Sequence, residues 1–224
     1  MGLRFVNGSG GYGLNRLKII KRPVIESAIT KRELEKLDRS IRIAESDLIL
    51  SQSPKSLIFK PHGPFGPVFL STPPGPFLRF IKDMKIERKG HFADLGSGSG
   101  RIGLPASYYF KRVTLFERDH RLCNLTRRIM KGYNIANVTL KNADFLRQSI
   151  EPFDVIYFFR PFREDYCAKM ENLIRTAKPG ATLIFTSVRE FELIDPKLFS
   201  FIYPAVGPDA AEPAVGDFFA VKRI

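Results

Sequence analysis

His91-Phe92-Ala93-Asp94-Leu95-Gly96-Ser97-Gly98-Ser99-Gly100-Arg101-Ile102-Gly103 is the stretch on which the reading of this chain turns. A short apolar run ends at an aspartate. Glycines then alternate with serines before a second apolar run begins. Glycine lets the backbone take up positive φ and approach a ligand closely. A helix that starts after such a turn offers free N–H groups and the positive end of its dipole, which suit a carboxylate or phosphate. The stretch therefore predicts a buried strand, a ligand-binding turn and a helix.

Downstream, strand and helix patterns alternate. Strands are predicted at His91–Leu95, Val113–Glu117, Val138–Leu140, Phe153–Phe159 and Ala181–Ser187, and helices at Arg101–Phe110, Arg121–Tyr133 and Asp165–Ala177. This rhythm implies parallel βαβ units, an α/β Rossmann-like sheet with helices on both faces. Phe199–Tyr203 and Phe218–Lys222 follow as two strands with no helix between them, which makes them an antiparallel hairpin. Pro105 falls about one turn inside the first helix and removes a backbone donor there, so that helix should be kinked or short. No internal repeat occurs.

Upstream, Thr30-Lys31-Arg32-Glu33 has the form of a capping box. Leu34, Leu37, Ile41, Ala44 and Leu48 then recur at helical spacing, an amphipathic helix of about five turns that packs on the domain. Residues 51–76 are dense in Pro, Gly and Ser and read as a linker. Phe77, Leu78, Phe80, Ile81 and Met84 give a short apolar helix face. Asn7-Gly8-Ser9-Gly10-Gly11-Tyr12-Gly13 reads as a flexible segment, followed by Arg16, Lys18, Lys21 and Arg22. The chain thus divides into a flexible basic arm (1–29), a helix with its linker (30–76) and an α/β domain (77–224).

The formal net charge is +13, and residues 1–70 hold twelve Lys/Arg against six Asp/Glu. That balance favours an acidic macromolecular partner, either RNA or an acidic protein, with the basic arm helping to hold it. Cys123 and Cys167 stand in unrelated contexts and are expected to be reduced thiols. His62, His91 and His120 show no metal-ligand spacing, so no metal is expected. With neither a signal-peptide pattern nor an apolar run of spanning length, a soluble cytoplasmic protein is expected.

Two ligands compete for the glycine turn. Gly98-Ser99-Gly100-Arg101-Ile102-Gly103 fits the dinucleotide pattern G-x-G-x-x-G, with Glu117 downstream as a ribose-binding acid. Asp94, however, would repel a pyrophosphate, whereas the ammonium and sulfonium of S-adenosylmethionine suit an acid there. Asp94-Leu95-Gly96-Ser97-Gly98-Ser99-Gly100-Arg101-Ile102 resembles the first motif of class I, seven-strand S-adenosylmethionine-dependent methyltransferases. Glu117, closing Val113-Thr114-Leu115-Phe116-Glu117, is similar to their second-strand acid, which accepts from both ribose hydroxyls. Asn142-Ala143-Asp144-Phe145 looks like their third motif, in which the Asp takes the adenine amino group and the next residue flanks the ring. The resemblance covers roughly residues 70–224. It implies a donor pocket of Thr72, Asp94, Gly96, Ser97, Gly98, Gly100, Glu117, Arg118, Asp144 and Phe145.

Phe69-Leu70-Ser71-Thr72-Pro73 resembles a segment of small archaeal-type and mitochondrial protein-lysine methyltransferases, which implies a protein lysine as acceptor; Pro105 departs from their pattern. Tyr157 and Phe158 read as strand core. After them the chain has Phe159-Arg160-Pro161-Phe162 where many amino-group methyltransferases carry Asn/Asp-Pro-Pro-Tyr/Phe, so the side chain that would accept from an exocyclic amine is missing. Phe159, Arg160, Pro161 and Phe162 are expected to form an aromatic acceptor lip, where desolvation would lower an amine's pKa. RNA methylation is the alternative, as is a cofactor-binding assembly subunit that has lost catalysis.

Overall fold

The computed structural model describes residues 29–50, 72–86, 90–158, 164–186, 194–203 and 218–224. Seven strands form one sheet: β1 (His91–Leu95), β2 (Arg112–Glu117), β3 (Val138–Asn142), β4 (Val155–Phe158), β5 (Thr182–Phe185), β6 (Phe199–Tyr203) and β7 (Phe219–Arg223). Their order is β3-β2-β1-β4-β5-β7-β6. The first five strands pair in parallel, and β7 pairs antiparallel with both β5 and β6. The two closing strands are therefore antiparallel, as their sequence predicts, and the later of them lies inside the earlier. The strand order reverses between β1 and β4, and ligands of open α/β sheets bind at the carboxyl ends of such strands.

The helices are α1 (Lys31–Leu50), α2 (Pro74–Asp83), α3 (Gly103–Ala106), α4 (His120–Gly132) and α5 (Glu164–Arg175). The capping box at the start of α1 is formed: the Thr30 N–H donates to Glu33 Oε2 at 2.9 Å, and the Glu33 N–H to Thr30 Oγ1 at 3.2 Å. Leu37, Ile41 and Ala44 of α1 are buried in one core with Phe77 and Ile81 of α2, Leu125 and Ile129 of α4, and Phe92, Leu115 and Tyr157 of the sheet. The opposite face packs Met170, Leu173 and Ile174 of α5 on Leu95, Ile156, Phe158, Leu183 and Phe185. The two faces follow from the alternation of side chains along each strand.

Most boundaries fall within two residues of the sequence reading, and two differ by more. Helix α2 begins at Pro74, inside the proline-rich stretch, because proline suits the first helical turn, whose N–H groups have no intrahelical partner. The first helix of the domain shrinks from the expected 101–110 to Gly103–Ala106, with turns on either side, as Pro105 foretells. No described helix is long and apolar enough to cross a membrane.

Candidate functional site

The turn between β1 and α3 lies at the carboxyl edge of the sheet. Gly96, Gly98 and Gly100 have φ of +80°, +55° and +79°, in the left-handed region that side chains disfavour. The Gly96 and Ser97 N–H groups both donate to Phe116 O, at 3.0 and 2.9 Å, which hangs the turn on β2. Gly103 serves packing instead. A Cβ there would stand 2.0 Å from Leu115 Cδ2, so α3 lies closer to the sheet than any side chain permits.

Three carboxyl groups grip this turn. Asp94 Oδ2 accepts from the Gly103 N–H at 3.0 Å, Glu117 Oε2 accepts from the Gly98 N–H at 2.9 Å, and Glu45 of α1 accepts from the Ser99 hydroxyl. The other Glu117 oxygen takes the Asp119 N–H at 2.7 Å. Burial holds all three acids above the ordinary carboxylate range. Asp94, 2% exposed, is pushed up to about 7, its bond to Gly103 opposing the shift and the Glu117 charge adding to it. In Glu117 burial is opposed by the Asp119 and Gly98 N–H groups, and in Glu45 by the Ser99 hydroxyl. Negative charge concentrated in this way suits a cationic ligand.

The remaining expected pocket residues fall around the same edge. Ser97 is buried, and its Oγ has no partner among the described residues. Arg118 is exposed just beyond β2. Asn142 Nδ2 donates to Glu117 O at 3.0 Å and to Arg118 O at 2.9 Å, which ties the ends of β2 and β3 together. Asp144 accepts from the Leu146 N–H at 3.0 Å and so starts the 3-10 turn Phe145–Arg147. The Phe145 ring comes within 3.6 Å of where a Cβ on Gly96 would be, so the absence of a side chain at Gly96 leaves room beside that ring. Half-buried Thr72 shares a 2.9 Å hydroxyl contact with Tyr157, which is in register with Asp94. Phe159, Arg160, Pro161 and Phe162 lie outside the described residues.

Sequence reasoning missed Asp38 and Glu45. Asp38 accepts from Arg101 Nε at 2.6 Å and from Nη2 at 3.1 Å. A signal was present: Asp38, Ile41 and Glu45 stand three and four residues apart on α1, which sets two acids along its inward stripe.

Residues 78–181 match the family model described as methyltransferase small domain. Residues 78–181 are thus similar to a methyltransferase domain, on a sheet with the class I seven-strand fold. The fold recurs in solved structures. A putative methyltransferase, yhhF, from Escherichia coli is 21% identical, with a TM-score of 0.55 over 70% of this chain and 90% of that one. The tRNA (m1A58) methyltransferase TrmI from Aquifex aeolicus is 18% identical, with a TM-score of 0.51 over 79% and 74%. An RNA methyltransferase from Salinibacter ruber, in complex with S-adenosyl-L-homocysteine, is 20% identical, with a TM-score of 0.50 over 67% and 92%. At these identities the likeness is one of fold. No curated protein matches the sequence. The turn fits a methyl donor with two cationic groups by its own features: an unpartnered buried hydroxyl at Ser97, room beside Phe145, and three carboxyls bonded to the turn.

Proposed function

We propose that this methyltransferase transfers its methyl group to RNA. The observation that carries the reading is the flank built by residues 111–147, all of them described. It holds nine Lys/Arg against three Asp/Glu. Within it α4 contains no acid at all, and Arg127, Arg128 and Lys131 are exposed on it. Of the three acids, Glu117 is engaged with backbone amides and Asp119 with Arg121. This cationic flank, which includes Arg118 just beyond β2, attracts phosphate and repels the lysine-rich segments that a protein-lysine enzyme would meet. Two of the solved structures that share the fold are named as tRNA and RNA methyltransferases. The protein-lysine acceptor implied by Thr72-Pro73 has no such support.

In this reading Glu117 holds the ribose hydroxyls, Asp144 the adenine amino group, Phe145 and Gly96 flank the ring, and Ser97 with Gly98 and Gly100 meets the methionine end. Asp94 acts at one remove, by fixing Gly103 and by its charge. Arg118 steers phosphate, and Thr72 tethers the chain entering α2 to Tyr157. The Phe159-Arg160-Pro161-Phe162 segment is the proposed acceptor lip, since it follows β4 directly. Bound S-adenosylmethionine supplies an electrophilic methyl group on a sulfonium. The chain's part is alignment, and orientation alone can lower a barrier by roughly 7–11 kcal/mol.

The test is incorporation of tritiated methyl groups into a cell extract, with RNase and protease arms and a salt series. Label in RNase-sensitive material that declines steeply with salt is expected. Label that survives RNase and is lost to protease would overturn the reading in favour of a protein acceptor.

A further inference from the structure

Helix α1 lies outside the region that matches the methyltransferase family. It nevertheless touches the donor turn at two points. The buried Glu45 carboxyl accepts from the Ser99 hydroxyl, and Ser99 is 1% exposed. One heptad earlier, Asp38 makes its two-pronged contact with Arg101, both side chains being mostly covered. The two contacts flank Gly100, whose φ is +79°. The same stretch of α1 that carries Asp38 is also held from Tyr133, just past α4: its hydroxyl donates to Lys36 O at 2.9 Å and meets Ser40 Oγ at 2.8 Å.

An apolar face would be enough to dock α1, and Leu37, Ile41 and Ala44 already supply one. Burying two carboxyls beside it opposes docking unless they do something more specific. What they touch is a turn of left-handed glycines, which loses much backbone entropy when ordered. We infer that α1 forms a wall of the donor site, with Asp38 and Glu45 as positioning residues that hold the Gly98–Arg101 turn in its donor-binding conformation. This rests on the reading of that turn as the donor site. It carries a reciprocal consequence: if docked α1 favours the donor, the bound donor favours docked α1 by the same factor.

The experiment uses the full chain and S-adenosylhomocysteine as the probe. Affinity is measured by calorimetry below the melting range of each variant, and amide exchange across residues 31–50 is measured with and without the probe. Asp38→Ala and Glu45→Ala should each weaken binding about tenfold, the size of a lost hydrogen bond to a charged group. Glu45→Gln, which still accepts from the Ser99 hydroxyl, should stay near the parent, and Asp38→Arg combined with Arg101→Asp should recover part of the loss. The probe should slow exchange in α1. Lowered melting with unchanged affinity in both alanine variants, or unchanged α1 exchange in the parent on saturation, would overturn the inference and reduce α1 to a packing element. If the alanine variants fail to fold, Glu45→Gln and the exchange measurement on the parent still decide. Failure of the parent to bind the probe at all would instead sink the donor site itself.

Discussion

Asp94 lets the electrostatic strain of the donor turn be measured without any ligand. Its carboxyl is sealed beneath the turn and pushed from the ordinary 3.8 to about 7, chiefly by burial. The folded chain therefore holds a proton between those limits that the unfolded chain has released. Stability from this group is complete below pH 4 and is lost as the pH rises through 7. The full gap corresponds to about 4 kcal/mol. Asp94→Asn keeps an oxygen for the Gly103 N–H and removes the titration. Its new amide protons must find partners in a buried place, which costs about 1–3 kcal/mol if they do not. The variant's stability relative to the parent should therefore rise by about 2–3 kcal/mol between pH 5 and pH 7 and level off above that. Urea unfolding of both chains at pH 5, 6, 7 and 8, without donor, reads this directly. Glu45 and Glu117 are present in both chains, so the difference between the curves reports Asp94 together with its coupling to Glu117. Parallel curves would refute the claim that Asp94 is held protonated by burial. Above pH 7, where the parent's Asp94 is mostly ionised, donor binding by the variant should weaken, because the negative charge that suits the donor's cations is gone.

Two further outcomes test other parts of the site. Gly103→Ala must displace α3 or Leu115, because the added methyl would stand 2.0 Å from Leu115 Cδ2, and overpacking of this kind costs about 1–3 kcal/mol. Its melting temperature should fall by several degrees, whereas Gly180→Ala, with open space around its Cβ, loses only what its φ of +81° costs; equal effects would contradict the packing argument. Glu117→Ala and Asp144→Ala should each weaken S-adenosylhomocysteine binding by about 1.5–3 kcal/mol with the fold retained, as calorimetry and circular dichroism would show. Unchanged affinity in both would mean that the ribose and adenine pockets lie elsewhere.

The sheet was legible because its signals are local. The apolar runs of Val113–Glu117 and Val155–Phe158, the glycine turn after Asp94 and the capping box at Thr30 each depend on a few neighbouring residues. Boundaries were less legible: Pro105 announced a short α3 but not where it would end, and Pro74 marked a helix start inside what read as linker. The two acids on the inward stripe of α1 were legible, but not what they grip. Nothing near Glu45 says that it meets Ser99, 54 positions away, because that pairing exists only once α1, α3 and α4 have packed.

The placement of β7 between β5 and β6 bears on how the chain is made. On a ribosome, β5 emerges first and β6 next, yet β5 lacks its second neighbour, and β6 any neighbour, until β7 follows. For that interval β5 exposes an unpaired, strongly apolar edge, Thr182-Leu183-Ile184-Phe185, of the kind that recruits strands from other nascent chains. The parallel half of the sheet can form early, but its closure waits on the pairing of Phe219–Arg223 with residues synthesised some forty positions before. Crowded expression, or any stall between β6 and β7, should therefore favour aggregation through β5, even in a chain whose finished fold conceals it.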